Sequence, residues 1–458
     1  MKIEQIYEKC LSQASYYIEF NGEAAVIDPL RDVSRYLALA DVSGAKIKYI
    51  FETHFHADFV SGHLELEQKT GAVIIFGPEA VTGFKAHIAS DGEYFGLGGA
   101  SLTLLHTPGH TLESSCLLLK DVHHQQVAIF TGDTLFLGDV GRPDLAQDTN
   151  IGLSKENLAG MLYDSLHRNI LPLSDHITLY PGHGAGSACG KNMSSETVDT
   201  LGNQRKSNYA LNAQLSKPDF IHLLCGNLND APEYFPMDVR LNRQGYTSID
   251  QIIKMVVPLN PRHFSERMSQ QGTMVLDVRS ADDFAAGHIP GSINIGLDGR
   301  FAPWVGEIIP SSQKQILLVC PRERIEETIM RLGRIGYHQC TAYLALGIDS
   351  WSSAGNPVEN VLNISAAAFC ELHQNLKGNL IDVRAASEFA LGSIGDSQNI
   401  PLSKDIELKN ELMEDTYIFC AGGYRSMIFI SKAKAAGHQK LINISGGYNA
   451  LVQAGIQS

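Results

Sequence analysis

Apolar runs of a few residues recur along the first half of the chain, each closed by Gly, Pro, Asp or His. They include YYIEF (16–20), AAVIDP (24–29), KYIFETH (48–54), AVIIFG (72–77), LTLLHTPGH (102–110), VAIFTGD (127–133) and ITLYPGH (177–183). Short apolar segments bounded by turn formers read as strands. Their polar residues fall at the C-terminal ends, and in layered α/β folds the loops leaving strand ends gather the chemistry. Between Asp219 and Tyr246 the pattern fades into a Pro- and Asn-rich stretch with little helical periodicity, which reads as a trailing arm and linker.

Beyond that arm the sequence repeats itself. MVLDVRSADDFAAGHIPGSINI (274–295) matches NLIDVRAASEFALGSIGDSQNI (379–400), with Asp277 and Asp382 in register. ILLVC ending at Cys320 likewise matches YIFC ending at Cys420. A repeat of strand, loop, strand, cysteine loop, helix and strand predicts two small α/β domains of about 100 residues each. The expected division is 1–245, 246–356 and 357–458, in keeping with a length beyond what one hydrophobic core supports.

Composition narrows the function classes. With 36 basic against 50 acidic residues, a net −14, the chain lacks the electrostatic footprint of nucleic-acid or anionic-membrane binding. No apolar run reaches the roughly 18 residues of a membrane span, and the first 20 residues do not read as a signal peptide. A cytoplasmic enzyme of small molecules, and a homo-oligomer as such enzymes commonly are, is the expectation. The eight cysteines show no paired spacing, which argues against a disulfide scaffold.

The densest chemistry is THFHADF (53–59), joined by His110 in HTPGHT, Asp133 in FTGDTLF and His183 in YPGHG. One histidine on an apolar face is usually a core residue. Four strand ends that each deliver His or Asp beside Gly or Pro point instead to a metal. The pattern resembles the metallo-β-lactamase superfamily across about 1–245, which implies an αββα sandwich there. Members that bind two metals carry His-x-His-x-Asp-His. This chain reads His54-Phe55-His56-Ala57-Asp58-Phe59, and Phe59 cannot ligate. What remains resembles the superfamily's persulfide dioxygenases, whose pattern implies one Fe(II) per chain held by His54, His110 and Asp133. Two imidazoles and a carboxylate on one face leave positions for a thiolate and dioxygen. On the same resemblance His56, Asp58 and His183 fall to the surrounding layer that orients the ligands.

Two further residues follow from this resemblance. LGDVGRPDL after Asp133 is similar to the loop lining the thiol pocket of the dioxygenases, where Arg142 either clamps a carboxylate or phosphate of the substrate or pairs with Asp139 or Asp144. GSACG near His183 is similar to a segment of dioxygenase fusion proteins, so Cys189 either relays sulfur as a catalytic thiol or is a buried spectator.

Cys420-Ala421-Gly422-Gly423-Tyr424-Arg425-Ser426 follows an apolar strand and precedes a helix, where successive backbone N–H groups cradle an anion and favour a reactive thiolate. It resembles the rhodanese loop, with four residues between Cys and Arg. Cys420 and Arg425 are then catalytic, Gly422, Gly423, Tyr424 and Ser426 form the sulfur cradle, and Asp382 and Arg384 brace it. The first copy reads Cys320-Pro321-Arg322-Glu323-Arg324, one residue tighter, with no glycine and with an acidic side chain. Tight turns without glycine are costly, so this copy reads as degenerate, a scaffold between the iron site and the active module.

The order of modules resembles persulfide dioxygenase and rhodanese fusion proteins of bacterial sulfide detoxification. The implied activity is oxidation of a low-molecular-weight thiol persulfide (glutathione, coenzyme A or similar) by O2 to sulfite and thiol. Sulfur transfer through a Cys420 persulfide would then yield thiosulfate. Two alternatives stand beside it: a thioester hydrolase of the glyoxalase II type with a fused sulfur carrier, and a sulfur-binding sensor with a vestigial metal site.

Overall fold

The computed structural model describes every residue except 148–152, 227, 229, 311–314, 374–378, 396, 403–414, 457 and 458. Positions 227 and 229 of the expected arm and position 396 of the second repeat therefore lie outside the described residues. The chain divides into two compact units, Met1–Ile249 with Gly333–Gly336, and Asp250–Leu332 with Tyr337–Ser458. Among the described residues no helix is long and apolar enough to cross a membrane.

The first unit contains two six-stranded sheets. One runs Lys2–Glu8, Gln13–Phe20, Glu23–Ile27, Lys46–Phe51, Val73–Phe76, His87–Ile88 in spatial order. The other runs Asp199–Thr200, Thr178–Pro181, Gln126–Gly132, Ser115–Lys120, Ala100–His106, Tyr94–Leu97. Because successive side chains of a strand point to opposite faces, strands that are apolar on both sides must be covered on both. Tyr16, Ile18, Ala25, Ile27, Phe51 and Ile75 meet Leu117, Leu119, Ala128 and Phe130 in one cluster between the sheets. Their neighbours Tyr17, Val26, Ile50 and Ile74 pack outward with Tyr36, Ala40 and Leu66 of helices Ser34–Ser43 and His63–Thr70. On the far side, Cys116, Leu118 and Ile129 pack with Leu162 and Phe220 of helices Lys155–Ser165 and Lys217–Cys225. This is the expected αββα sandwich.

The arm expected over 219–246 is instead largely helical, through Lys217–Cys225 and Phe235–Gln244. Ser216 starts the first helix by accepting from the Asp219 N–H, with Pro218 in the first turn. The second helix escaped the hydropathy pattern because two of its buried residues, Asp238 and Asn242, are polar. Asn242 donates from Nδ2 to the carbonyls of His56 and Phe59, both at 2.8 Å, and accepts from Ser61 N at 2.9 Å. A polar helix face thus holds the histidine-rich loop.

The second unit contains two five-stranded parallel sheets of one topology. The first repeat orders its strands Val257–Leu259, Cys340–Leu344, Gln315–Val319, Thr273–Asp277, Ile293–Asn294. The second orders Leu362–Ser365, Leu441–Ser445, Thr416–Phe419, Asn379–Asp382, Gln398–Asn399. Each is a small α/β fold with its own core, around Phe264 and Trp351 in the first and Phe369 and Ile444 in the second. Cys320 and Cys420 follow the central strand of each sheet, at the carboxyl ends where parallel sheets place their ligands.

Phe130 stacks on Tyr180 at 5.0 Å and meets Tyr16 edge-on at 4.9 Å between the sheets of the first unit. Phe130→Ala is expected to cost that unit about 3–5 kcal/mol, the usual range for emptying a packed aromatic site. Denaturant unfolding followed by tyrosine fluorescence checks it, and a loss under 1 kcal/mol, the scale of a surface change, would show that the seam between the sheets is not the stabilising core.

Candidate metal centre and sulfur-transfer site

The polar residues at the strand ends converge. His54 follows strand Lys46–Phe51, His110 follows Ala100–His106, Asp133 follows Gln126–Gly132 and His183 follows Thr178–Pro181, and all four are buried. Close approach of these loops requires glycine at two places. A Cβ on Gly109 (φ +149°) would meet Leu162 backbone at 2.4 Å, and one on Gly182 would stand 2.7 Å from Asp133 Oδ1.

Hydrogen bonds settle which imidazole nitrogens carry protons. Thr53 Oγ1 donates to Asp28 Oδ2 at 2.9 Å, so it accepts from His54 Nδ1 at 3.0 Å. His110 Nδ1 lies 2.8 Å from the Arg142 carbonyl, which can only accept. Both rings therefore carry hydrogen on Nδ1 and turn the Nε2 lone pair inward. These Nε2 atoms stand 3.9 Å (His54) and 3.5 Å (His110) from Asp133 Oδ2, a buried oxygen with no hydrogen-bond partner in the structure. Three acceptors facing one another without a donor is a costly arrangement in a protein interior, and a cation between them resolves it. The donor set fits a metal, and His54, His110 and Asp133 form a group able to hold one.

Asp133 Oδ1 is taken by His183 Nδ1 at 2.8 Å, and His183 Nε2 reaches Asp58 Oδ2 at 2.9 Å. A ring between two carboxylates needs both N–H groups. Burial opposes its charge, yet Asp133 and Asp58 hold His183 well above the ordinary imidazole range. Burial likewise opposes ionisation of Asp133, but His183, His54 and His110 keep its carboxyl far below the usual range.

His56 turns elsewhere. Its Nε2 lies 3.1 Å from Asp28 and 3.4 Å from Glu52, which carry it up to about 10 against the opposing effect of burial. Asp28, in the left-handed region at φ +49°, also accepts from Thr53 N at 2.7 Å. A chain from His56 through Asp28 and Thr53 thus reaches the ring of His54, whose Nε2 faces Asp133. Phe59 is fully buried, its ring 4.3 Å from that of His56. Cys189 groups with Asp58 and His183, its thiol pushed well up by burial and then by the charges of Asp58 and Asp133.

Arg142 realises one of its two expected pairings. Its guanidinium forks onto Asp144 at 2.7 and 2.6 Å and adds a 3.3 Å bond to Ala188 O. It also lines a cavity of about 730 Å³ with Ser187, Lys191, His222, Leu223 and Asp230.

In the second unit, Gly423 (φ +97°) donates its N–H to Cys420 Sγ at 3.1 Å and opens helix Tyr424–Ala435. Ser426 Oγ donates to Asn443 Oδ1 at 2.7 Å and also lies 3.0 Å from Gly423 O, tying the loop to the sheet. Arg425 forks onto Glu388 at 2.5 and 2.7 Å. Arg384, bound to Asp382, lies 3.7 Å from the centre of the Tyr448 ring, and Tyr448 N donates to Cys420 O at 2.7 Å. Cys320 sits differently. Burial pushes its thiol up to about 11, and Sγ lies 3.2 Å from both Pro321 O and Thr328 Oγ1.

Comparison with known proteins agrees with this architecture. The family model described as metallo-β-lactamase superfamily matches residues 9–183, and that of the rhodanese-like domain matches 260–354 and 368–454. A metallo-β-lactamase structure from Staphylococcus aureus subsp. aureus COL is 32% identical with a TM-score of 0.65, covering 75% of this chain and 98% of that one. The chain belongs to the metallo-β-lactamase superfamily. Its superfamily domain also resembles the hydroxyacylglutathione hydrolase of Polaromonas sp., 34% identical over 166 residues, which are 35% of this chain and 57% of that protein. ETHE1 from Myxococcus xanthus is 27% identical with a TM-score of 0.45, covering 53% of this chain and 99% of that one. The chain is thus a superfamily enzyme with a metal-binding site, followed by rhodanese-like domains.

Several supporting residues went unnoticed in the sequence. Asp28 in AAVIDP carries the same strand-end signature as the metal-facing residues, and Thr53 and Glu52 adjoin them, so a search for every polar strand end would have found all three. Glu388 and Asn242 had no local signal, since each acts on a loop distant in sequence.

A thiol pushed up to about 11 is almost wholly protonated at pH 7, and its thiolate grows as pH rises toward that value. Alkylation of Cys320 is expected to be slow at pH 7 and to climb about tenfold per pH unit until near 11. Peptide mass spectrometry after timed iodoacetamide treatment reads this directly. Fast, pH-independent labelling between pH 6 and 8 would contradict it.

Proposed function

We propose that the chain is a non-haem Fe(II) persulfide dioxygenase fused to a sulfurtransferase acting through Cys420. The observation that carries the reading is the buried trio of His54 Nε2, His110 Nε2 and Asp133 Oδ2, with a phenylalanine, Phe59, buried beside His56 where a further imidazole ligand would be needed. His183 and Asp58 are occupied with each other and with Asp133, which supports one iron per chain. Two imidazoles and one carboxylate are the donor set of Fe(II) oxygenases with open positions.

In this reading His54, His110 and Asp133 hold the iron, which supplies a place for both the persulfide sulfur and dioxygen and the activation of the latter. Thr53 and the Arg142 carbonyl keep both imidazoles in the ligating tautomer. His183 fixes Asp133 through Oδ1 and leaves Oδ2 free. The cavity beside Arg142 is the proposed seat for the thiol part of a glutathione-like or coenzyme A-like persulfide, with Lys191 and His222 as cationic or donor groups. Arg142 contacts an anionic group there only by exchanging Asp144 for it. Cys189, beside Asp58 and His183, is the candidate thiol to accept sulfur at that end.

The overall oxidation balances as RSSH + O2 + H2O giving RSH, sulfite and two protons. At the second site the Cys420 thiolate attacks the terminal sulfur of another persulfide and releases RS⁻. Sulfite then takes that sulfur, regenerating the Cys420 thiolate and leaving thiosulfate. Gly423 N–H and Arg425 stabilise the sulfur anion in the cradle.

A thioester hydrolase is the second reading. It is favoured by the name of the Polaromonas relative and by the Asp58, His183 and Cys189 group, which offers donors for another ion. Activity on acylated glutathione without oxygen uptake would favour it.

Asp133→Ala is expected to abolish oxygen uptake with glutathione persulfide while sulfur transfer survives. Cys420→Ser is expected to keep oxygen uptake and accumulate sulfite, where the parent chain forms thiosulfate. An oxygen electrode and ion chromatography read both. Full oxygen uptake in Asp133→Ala would sink the iron assignment, and unchanged thiosulfate yield in Cys420→Ser would sink the role of Cys420.

A further inference from the structure

Within the second unit the two repeats touch at the cradle itself. Tyr424, between Gly423 and Arg425, donates its hydroxyl to Gly296 O of the first repeat at 2.7 Å. Its ring packs closely against that repeat's loop 296–299: a Cβ on Gly299 would stand 2.4 Å from ring atoms Cε2 and Cζ, and one on Gly296 would stand 3.4 Å from Cε2. About two turns further along helix Tyr424–Ala435, Ser431 Oγ accepts from Asn294 N at 3.0 Å. The helix that begins in the cradle is therefore held at two points by the other repeat.

The loop that receives Tyr424 is itself braced from the degenerate pocket. Arg324, the arginine of the shortened Cys320 loop, bonds to Asp298 at 2.9 Å, and Arg331 donates to Leu297 O at 2.6 Å. Arg324 is thus engaged by Asp298 and Glu327 beside the seat of Tyr424.

We propose that the first rhodanese-like repeat is a working part of the second one's active site. Its loop 296–299 seats Tyr424 and thereby sets the phase of the helix start, which fixes where Gly423 N–H and Arg425 stand around Cys420. Tyr424 and Gly299 are positioning residues, and the inference rests on the reading of Cys420 as the sulfur-carrying thiol. A 12-residue helix entered through a glycine at φ +97° has a pliant joint at its N-terminus. Without the seat, rotation about that joint moves the adjacent donor and cation together.

The full-length chain is assayed for sulfur transfer from thiosulfate to cyanide, a reaction that yields sulfite and thiocyanate, alongside iodoacetamide labelling of Cys420 at neutral pH. Gly299→Ala, whose methyl must displace the Tyr424 ring, is expected to lower kcat/KM about tenfold, within the range of coupled contacts, chiefly through kcat. Cys420 labelling slows in parallel, while oxygen uptake with glutathione persulfide is unchanged. Tyr424→Phe, which adds no bulk and removes only the bond to Gly296, gives a smaller loss of the same kind. Adding Gly299→Ala to Tyr424→Ala costs nothing more, because the ring it displaces is gone.

Wild-type kcat/KM and labelling in Gly299→Ala overturn the proposal, as does full activity in Tyr424→Phe or a fully additive double variant. A parent chain that labels at Cys420 but transfers no sulfur would count against Cys420 as carrier. The effect of Gly299→Ala on labelling would still decide the seat.

Discussion

Three acceptor atoms buried together without a donor are the constraint around which the first unit is organised. His54 Nε2, His110 Nε2 and Asp133 Oδ2 can share one space only because other groups have already taken the opposite edge of each side chain. Thr53 and Asp28 hold the first ring, a main-chain carbonyl the second, and His183 the carboxylate. Glycine at positions 109 and 182 lets the loops approach closely enough. The sandwich supplies four strand ends at one edge, and the helix Phe235–Gln244 anchors the loop between His56 and Ser61 through Asn242. Each layer outward from the trio has a nameable task, which is how three facing acceptors are kept in register.

Much of this was legible in the chain, for a physical reason. Strands apolar on both faces and closed by Gly, Pro, Asp or His mark themselves, and the candidate ligands at strand ends sit inside those short motifs. The repeat at 274–295 and 379–400 announced two copies of one fold through its own similarity. The trailing arm was misread because helix Phe235–Gln244 buries Asp238 and Asn242, so its inward face is polar and carries no apolar periodicity. Tertiary partners such as Glu388 for Arg425, or Asp144 chosen over Asp139 by Arg142, depend on how distant or competing groups pack, which spacing does not encode.

The repeats also illustrate how one fold divides labour. The second copy keeps glycine at the entry to its helix and an arginine beside the thiol, and its backbone N–H reaches sulfur. In the first, proline and a short loop turn the cysteine toward Thr328, while Arg324 is drawn off to Asp298, Glu327 and the loop beneath Tyr424. Under the proposed function, joining both to a metal centre would bring an oxidising site and a sulfur carrier into one polypeptide, where tethering raises the local concentration of one site's product for the other.

The central claim is one iron held by His54, His110 and Asp133. A crystal structure of the anaerobically purified chain, with anomalous differences collected on both sides of the iron absorption edge, tests it most directly. The account predicts a single iron peak bonded to His54 Nε2, His110 Nε2 and Asp133 Oδ2, with His56 still paired to Asp28 and Glu52. Two metal peaks, or a metal bonded to His56 or His183, would contradict it.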